Sequence, residues 1–300
     1  MKNTLTIGIA AYNEAKNIDF LLKEILIQSF NGYTLSKIIV ISDGSSDETV
    51  RIARSVVDSR IRVVDSKKRL GKSARLNEII KRTDTDYLIL LDADISISDK
   101  FFLKKLIQPI AKGRASMTSA ALQEMTPRKF FEQILFVSMH LKSILFQEFK
   151  KGNNVYNCHG PARAFSRSFY NTLTFEKFTG DDMFSYLACI KSGKKFAYVA
   201  DTSVAYRLPS NPSDHYKQSS RYLETRENNG KFFGRDFVES ELSIPNEVYL
   251  RGALKALPYI LSNLILVTAY LFVLTSVHIG AFFKVKAKEN WNVTSSKQLN

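Results

Sequence analysis

A chain of 300 residues with 45% hydrophobic and 24% charged residues has the composition of a folded globular protein, which excludes wholesale disorder. Its 43 Lys+Arg against 29 Asp+Glu leave a net charge of +14, an excess that suits nucleic acid, an anionic membrane surface or phosphorylated substrates and does not by itself choose among them. The two cysteines, Cys158 and Cys189, form no CxxC and have no histidine at ligand spacing, so no zinc site is expected and ordinary reduced thiols are.

In chain order, the apolar stretch Leu5 to Ala11 is too short for a signal-peptide core and reads as a buried strand, so a folded cytosolic domain is expected from the start of the chain. Ala15 to Phe30 places Ile18, Leu21, Leu22, Ile25 and Leu26 at helical spacing. Lys37 to Ser42 is a second strand, ending in the turn Asp43-Gly44-Ser45-Ser46, and Asp47 caps a helix running to about Val57. Arg60 to Asp65, Ser73 to Lys81 and Tyr87 to Leu91 supply a third strand, a third helix and a fourth strand. This rhythm predicts a mostly parallel sheet covered on both faces, with ligands bound along the edge where the strands end. Lys129 to Lys150 is a long apolar helix and Phe196 to Val199 a late strand.

Near the other end, Leu257 to Phe283 contains no Asp, Glu, Lys or Arg, and about 20 such residues in a helix cross a bilayer core. A membrane helix, spanning with tilt or lying in the interface, is therefore expected over 257–283. Lys255 flanks it on one side, with Lys284, Lys286 and Lys288 on the other.

Carboxylates at strand ends carry the chemical signal. Asp92-Ala93-Asp94 follows the fourth strand directly, and carboxylates there need a cation or hydrogen bonds to offset their burial. Hard oxygen donors of this kind suit Mg²⁺ or Mn²⁺, which take one or two protein carboxylates and complete their shells with phosphates and water. Asp43 ends the second strand at the same edge, where it can accept hydrogen bonds from a base or ribose. Ala11-Tyr12-Asn13-Glu14 ends the first, with Tyr12 and Glu14 placed to flank a base. Lys72 opens a helix where a phosphate could bind, but the glycine spacing excludes a Walker A loop.

AYNE, SDGSSDET, GKSARLN and LLDAD, in this order, resemble the nucleotide half of the family 2 glycosyltransferases, which have the GT-A fold. Phe178-Thr179-Gly180-Asp181-Asp182 is similar to that family's base-bearing motif. Gln218-Ser219-Ser220-Arg221-Tyr222 is similar to the QxxRW motif of its synthases and ceramide glucosyltransferases, with Tyr222 in place of the Trp. Gly160 to Arg167 resembles its acceptor-side loop. The resemblance covers about residues 4–228. It implies a GT-A domain over 1–235, a connecting segment over 236–256, the membrane helix over 257–283 and a basic tail over 284–300. It further implies inverting transfer from a nucleotide-sugar, by family habit a UDP-sugar, to a lipid, lipid-linked or glycan acceptor at the cytoplasmic face of the cell membrane, without nucleic acid. Ala11, Tyr12, Glu14, Asp43 and Lys72 would then line the donor, and Asp92 and Asp94 would meet its diphosphate and the Mg²⁺ or Mn²⁺. Asp182 would be the base with Asp181 beside it, and Gln218, Arg221 and Tyr222 would cover the diphosphate and acceptor. Arg163 and Arg167 would face an acceptor phosphate. A nucleotidyltransferase-like nucleotide-sugar-binding protein and a catalytically silent membrane scaffold are the alternatives; the first leaves GDD and QSSRY without a purpose.

Overall fold

The computed structural model describes residues 3–282. The first part is β1 (Asn3–Ala11), α1 (Ile18–Leu26), β2 (Tyr33–Asp43), α2 (Thr49–Ser55), β3 (Ile61–Ser66), α3 (Lys72–Lys81) and β4 (Tyr87–Asp92). This is the alternation read from the sequence. Then come α4 (Phe102–Ala111), β5 (Met117–Glu124), α5 (Phe130–Glu148), β6 (Ala162–Ser166), α6 (Arg167–Tyr170), α7 (Asp181–Lys191) and β7 (Phe196–Tyr206). Four helices follow: α8 (Pro212–Phe233), α9 (Arg235–Leu242), α10 (Asn246–Ser262) and α11 (Leu264–Phe282).

One seven-stranded sheet has the order β3-β2-β1-β4-β6-β5-β7. Strand β6 is antiparallel to both β4 and β5, while the other pairings are parallel. The sheet is buried on both faces, which explains strands written as continuous apolar runs. Leu5, Ile7 and Ile9 of β1 pack with α1 and α4 in one core, and Ile39, Ile41, Leu88 and Leu90 pack with α3 and α7 in the other. Gly8 lets α3 lie close on β1: a Cβ there would sit 2.3 Å from Ile79 Cγ2. That close packing fixes where Lys72, the first residue of α3, meets the sheet edge.

The end of the chain departs from expectation in one respect. The anticipated single helix over 257–283 is two helices, broken at Asn263, with the axes of 235–262 and 264–275 bent by 115°. Pro258 cannot donate a backbone N–H inside α10, and the last carbonyls of that helix are taken by side chains: Ser262 Oγ donates to Pro258 O (2.9 Å) and Asn263 Nδ2 to Tyr259 O (3.0 Å). Among the described residues no single helix is long and apolar enough to cross a membrane. The expected connector 236–256 is helical and packed, because α9 places Val238 and Leu242 in the second core and α10 buries Val248, Gly252 and Ala256. Phe283 and the basic tail 284–300 lie outside the described residues.

Candidate active site

The strand ends assemble the site. Ala10 is in register with Asp92, Ala11 with Ser42 and Asp43 with Ser66, so β1, β2, β3 and β4 finish side by side. Because β6 runs the other way, its beginning reaches this same edge: Ala162 opposes Leu91, and Asp92 N donates to Pro161 O (2.9 Å). Gly160 is thereby wedged between carboxylates, and a Cβ on it would lie 3.7 Å from Asp182 Oδ2 and 3.9 Å from Asp92 Oδ2.

Three acidic groups and two cations meet here. Lys72 Nζ lies 2.6 Å from Asp92 Oδ1 and 3.2 Å from Asp181 Oδ2. Arg163, fully buried, pairs with the Asp181 carboxylate, and its Nη1 donates to Asp181 O (2.6 Å) and Ser185 Oγ (3.0 Å). Burial alone would raise the Asp181 carboxyl, but the Lys72 ammonium and the Arg163 guanidinium outweigh it and hold its pKa at about 2. Asp182 goes the opposite way. Burial, followed by the neighbouring Asp181 charge, raises its pKa, against the attraction of Arg163 and a hydrogen bond from Met183 N (2.8 Å). Two adjacent carboxylates are thus pushed apart, one locked as an anion and one poised to take a proton.

On the donor side the motif loops are stitched together. Asn13, in the left-handed region at φ 55°, accepts from Ser46 N (2.9 Å), Glu14 N donates to Thr49 Oγ1 (2.7 Å), and Ala15 N donates to Asp47 Oδ2 (3.1 Å). The Arg69 guanidinium lies 3.8 Å from the centroid of the Tyr12 ring, giving a cation–aromatic wall. Two residues expected to contact a base are turned into the protein. Glu14 is buried and accepts from Asn17 Nδ2 (2.7 Å), which fixes the start of α1. Asp43 is fully buried, and its carboxylate accepts from Leu70 N (2.8 Å), Gly71 N (2.9 Å) and Arg75 Nε (2.7 Å). It anchors the loop that carries Arg69 and leads to Lys72. Ala11 is also wholly buried.

Asp92 and Asp94 are both partly exposed at the edge. The loop behind them is braced, since Glu24 of α1 accepts from Ser96 Oγ (2.6 Å) and Ile97 N (2.7 Å). Among the described residues no group of three or more His, Cys, Asp or Glu could hold a metal. An ion here would rest on a pair of carboxylates and on ligand phosphates, a donor set that fits Mg²⁺ or Mn²⁺.

Gln218, Arg221 and Tyr222 sit on the single long helix α8. Burial lowers the Arg221 pKa while the charge of Asp182 opposes it, so the guanidinium stands within electrostatic reach of the candidate base. The same helix holds the loop before Asp181: Asn228 Nδ2 donates to Phe178 O (3.0 Å) and Asn229 Nδ2 to Thr179 O. Gly180 has φ 66°, and a Cβ there would lie 2.7 Å from Thr225 Cγ2 of α8. Gly180→Ala is therefore expected to cost about 1–3 kcal/mol of stability, read as a lower urea midpoint, and to lower kcat by displacing the Asp181–Asp182 pair.

The acceptor-side reading of Arg163 and Arg167 is corrected by β6. Arg163 is the second residue of that strand, opposite Leu90 and Ser119, and its buried guanidinium holds Asp181, so it faces no acceptor phosphate. Arg167 follows the far end of β6, where its N–H donates to Asp86 O (2.9 Å) at the start of β4. About six residues at 3.3 Å each separate it from Asp92. The sequence reading missed Arg69, Arg75, Ser185 and the α8 trio Thr225, Asn228 and Asn229. Arg75 had a signal, a cation placed among the apolar positions of α3 one turn after Lys72; the others became visible only through packing.

The model of the family described as Glycosyl transferase family 2 matches residues 6–174, more than half of the chain. Over 172 residues the chain is 30% identical to 4,4'-diaponeurosporenoate glycosyltransferase of Staphylococcus aureus (strain bovine RF122 / ET3-1), covering 56% of this chain and 45% of that protein. Over 91 residues it is 35% identical to poly-beta-1,6-N-acetyl-D-glucosamine synthase of Staphylococcus aureus (strain COL), covering 30% of this chain and 21% of that one. The chain thus matches less than half the length of either relative. Among solved structures it resembles the mannosyltransferase PcManGT from Pyrobaculum calidifontis in complex with GDP-Man and Mn²⁺, with TM-score 0.61, 17% identity and coverage of 95% and 89%. It also resembles glucosyl-3-phosphoglycerate synthase from Mycobacterium tuberculosis in complex with Mn²⁺, UDP and phosphoglyceric acid, with TM-score 0.54, 19% identity and coverage of 81% and 80%. At these identities the structural likeness speaks for the fold. Motif order, sheet edge and family match agree: the chain belongs to glycosyl transferase family 2.

Proposed function

We propose that the protein is an inverting glycosyltransferase that moves a sugar from a nucleoside diphosphate sugar to a hydroxyl of a membrane-associated acceptor, a lipid or lipid-linked glycan, with its catalytic domain on the cytoplasmic face. The observation that carries this reading is the divided pair at the edge of the sheet, with Asp181 held ionised by Lys72 and Arg163 and Asp182 raised beside it. Asp182 takes the acceptor proton as the new bond forms. Asp181, tied to two cations, is a positioning group and supplies no second nucleophile, which leaves a single displacement. Arg221 offsets the charge growing on the leaving diphosphate. Asp94, with Asp92 beside it, would hold Mg²⁺ or Mn²⁺, and the ion would supply further neutralisation of that diphosphate. The Mn²⁺-containing complexes of the structural neighbours support this assignment. The Tyr12–Arg69 wall receives the base.

The experiment is transfer of radiolabel from a panel of UDP- and GDP-sugars into extracted membrane lipids, with Mn²⁺ or Mg²⁺. Label enters the lipid fraction, and EDTA or Asp94→Ala removes at least nine-tenths of it. Undiminished transfer in EDTA would overturn the metal assignment; label appearing only in water-soluble products would overturn the lipid acceptor.

A further inference from the structure

The helices α10 and α11 expose a run of large apolar side chains. On α10, Val248, Gly252 and Ala256 face inward, with Gly252 against Leu145 of α5. On the opposite side Leu250, Leu254, Leu257 and Leu261 repeat at helical spacing, and Leu250 and Leu254 are each 63% exposed. Helix α11 has no charged residue and no polar face, yet Leu264, Ile265, Leu271, Phe272 and Leu274 are exposed, Ile265 to 81% and Phe272 to 78%. A helix apolar all round is either buried in protein or in hydrocarbon, and among the residues of α11 whose burial is described only Tyr270 is buried.

We propose that α10 and α11 form an elbow that docks on an anionic bilayer, with the leucine face of α10 in the interface and α11 descending into the hydrocarbon. The 115° bend permits this division, letting one helix lie in the plane while the next turns steeply away from it. Charge selects a lipid surface over another apolar partner. Arg251 and Lys255 stand beside the leucine face and, among the described residues, share Glu148 at 3.8 and 2.5 Å, and Lys142 lies 5.5 Å from the centroid of the Tyr270 ring. With a chain carrying +14, this arrangement suits acidic headgroups. The elbow rests on α5, and α11 also packs against α8, the helix of Arg221 and Tyr222. Docking would therefore set the acceptor side of the site at the membrane. This deepens the membrane-acceptor part of the function proposed above and rests on it only there.

The test is flotation of the full chain with vesicles of phosphatidylcholine, alone or with phosphatidylglycerol, alongside Leu250→Glu/Leu254→Glu and Ile265→Glu/Phe272→Glu variants. The unmodified chain is expected to float with the anionic vesicles. Each variant should bind them at least tenfold more weakly at an unchanged melting midpoint, since the altered side chains are exposed. Variants that float like the unmodified chain would overturn the proposal. So would a chain that stays unbound and sediments as a dimer that these substitutions dissociate, because the face would then be covered by a second copy. Vesicle binding without sugar transfer would sink the proposed reaction and leave the docking surface standing; transfer to a soluble acceptor without vesicle binding would do the reverse.

Discussion

Replacing Asp182 with Asn should lower kcat by about 10²–10⁴-fold, the usual contribution of a positioned base, while donor binding stays intact. The amide keeps the shape and the hydrogen bond from Met183 N but cannot accept the acceptor proton. The pH dependence carries the same information. The Asp182 carboxyl is raised, by burial first and then by Asp181, so the base is protonated at a pH where an ordinary aspartate, near 3.9, is already ionised. The acid limb of kcat/KM is therefore expected above the usual carboxylate range, and the Asn variant should have lost it. A variant retaining both rate and acid limb would remove Asp182 from the chemistry.

Arg163→Met is expected to be the most destabilising substitution at the site. It strands Asp181 with Lys72 as its remaining cation, and breaking a buried pair by removing one partner costs about 3–5 kcal/mol. The remaining Lys72 contact, at 3.2 Å, places the expected value at the lower end. The sign with pH follows from Asp181. Its folded pKa of about 2 lies below the unfolded value, so its contribution is present above about pH 4 and is lost as pH falls toward 2. Asp182 opposes this, since a raised folded pKa favours the fold as the pH drops. Without Arg163 the Asp181 carboxyl rises toward its unfolded value, so the stability lost between about pH 4 and pH 2 should shrink. Arg163→Lys keeps a cation and should recover part of the stability without restoring the bonds to Asp181 O and Ser185. Urea unfolding of the three proteins between pH 3 and 7 reads both effects, and equal midpoints throughout would contradict the positioning role.

The nucleotide half was legible because its signals are local. Apolar runs of strand length, helical spacing between them and a carboxylate just past each strand state the alternation and the edge together. Asp92 and Lys72 were found this way, Asp181 and Asp182 through the family resemblance, and the four do converge. What the sequence did not show depended on direction and on partners. Nothing local in ARAFS announces a strand antiparallel to its neighbours, yet that direction brings Gly160 to Asp92 and carries Arg167 to the far edge. Asp43 and Glu14 occupy positions where a ligand carboxylate would be expected, but Arg75 and Asn17 claim them. The apolar 257–283 segment was read by its length and lack of charge, neither of which shows the break at Asn263.

The stereochemistry of transfer tests the central claim most directly. With an α-linked nucleoside diphosphate sugar as donor, proton NMR of the first product formed should show a β-linkage, because one base and no free nucleophilic carboxylate permit a single displacement. An α-linked product would require a second displacement or a front-face path, and would contradict the division of labour between Asp181 and Asp182.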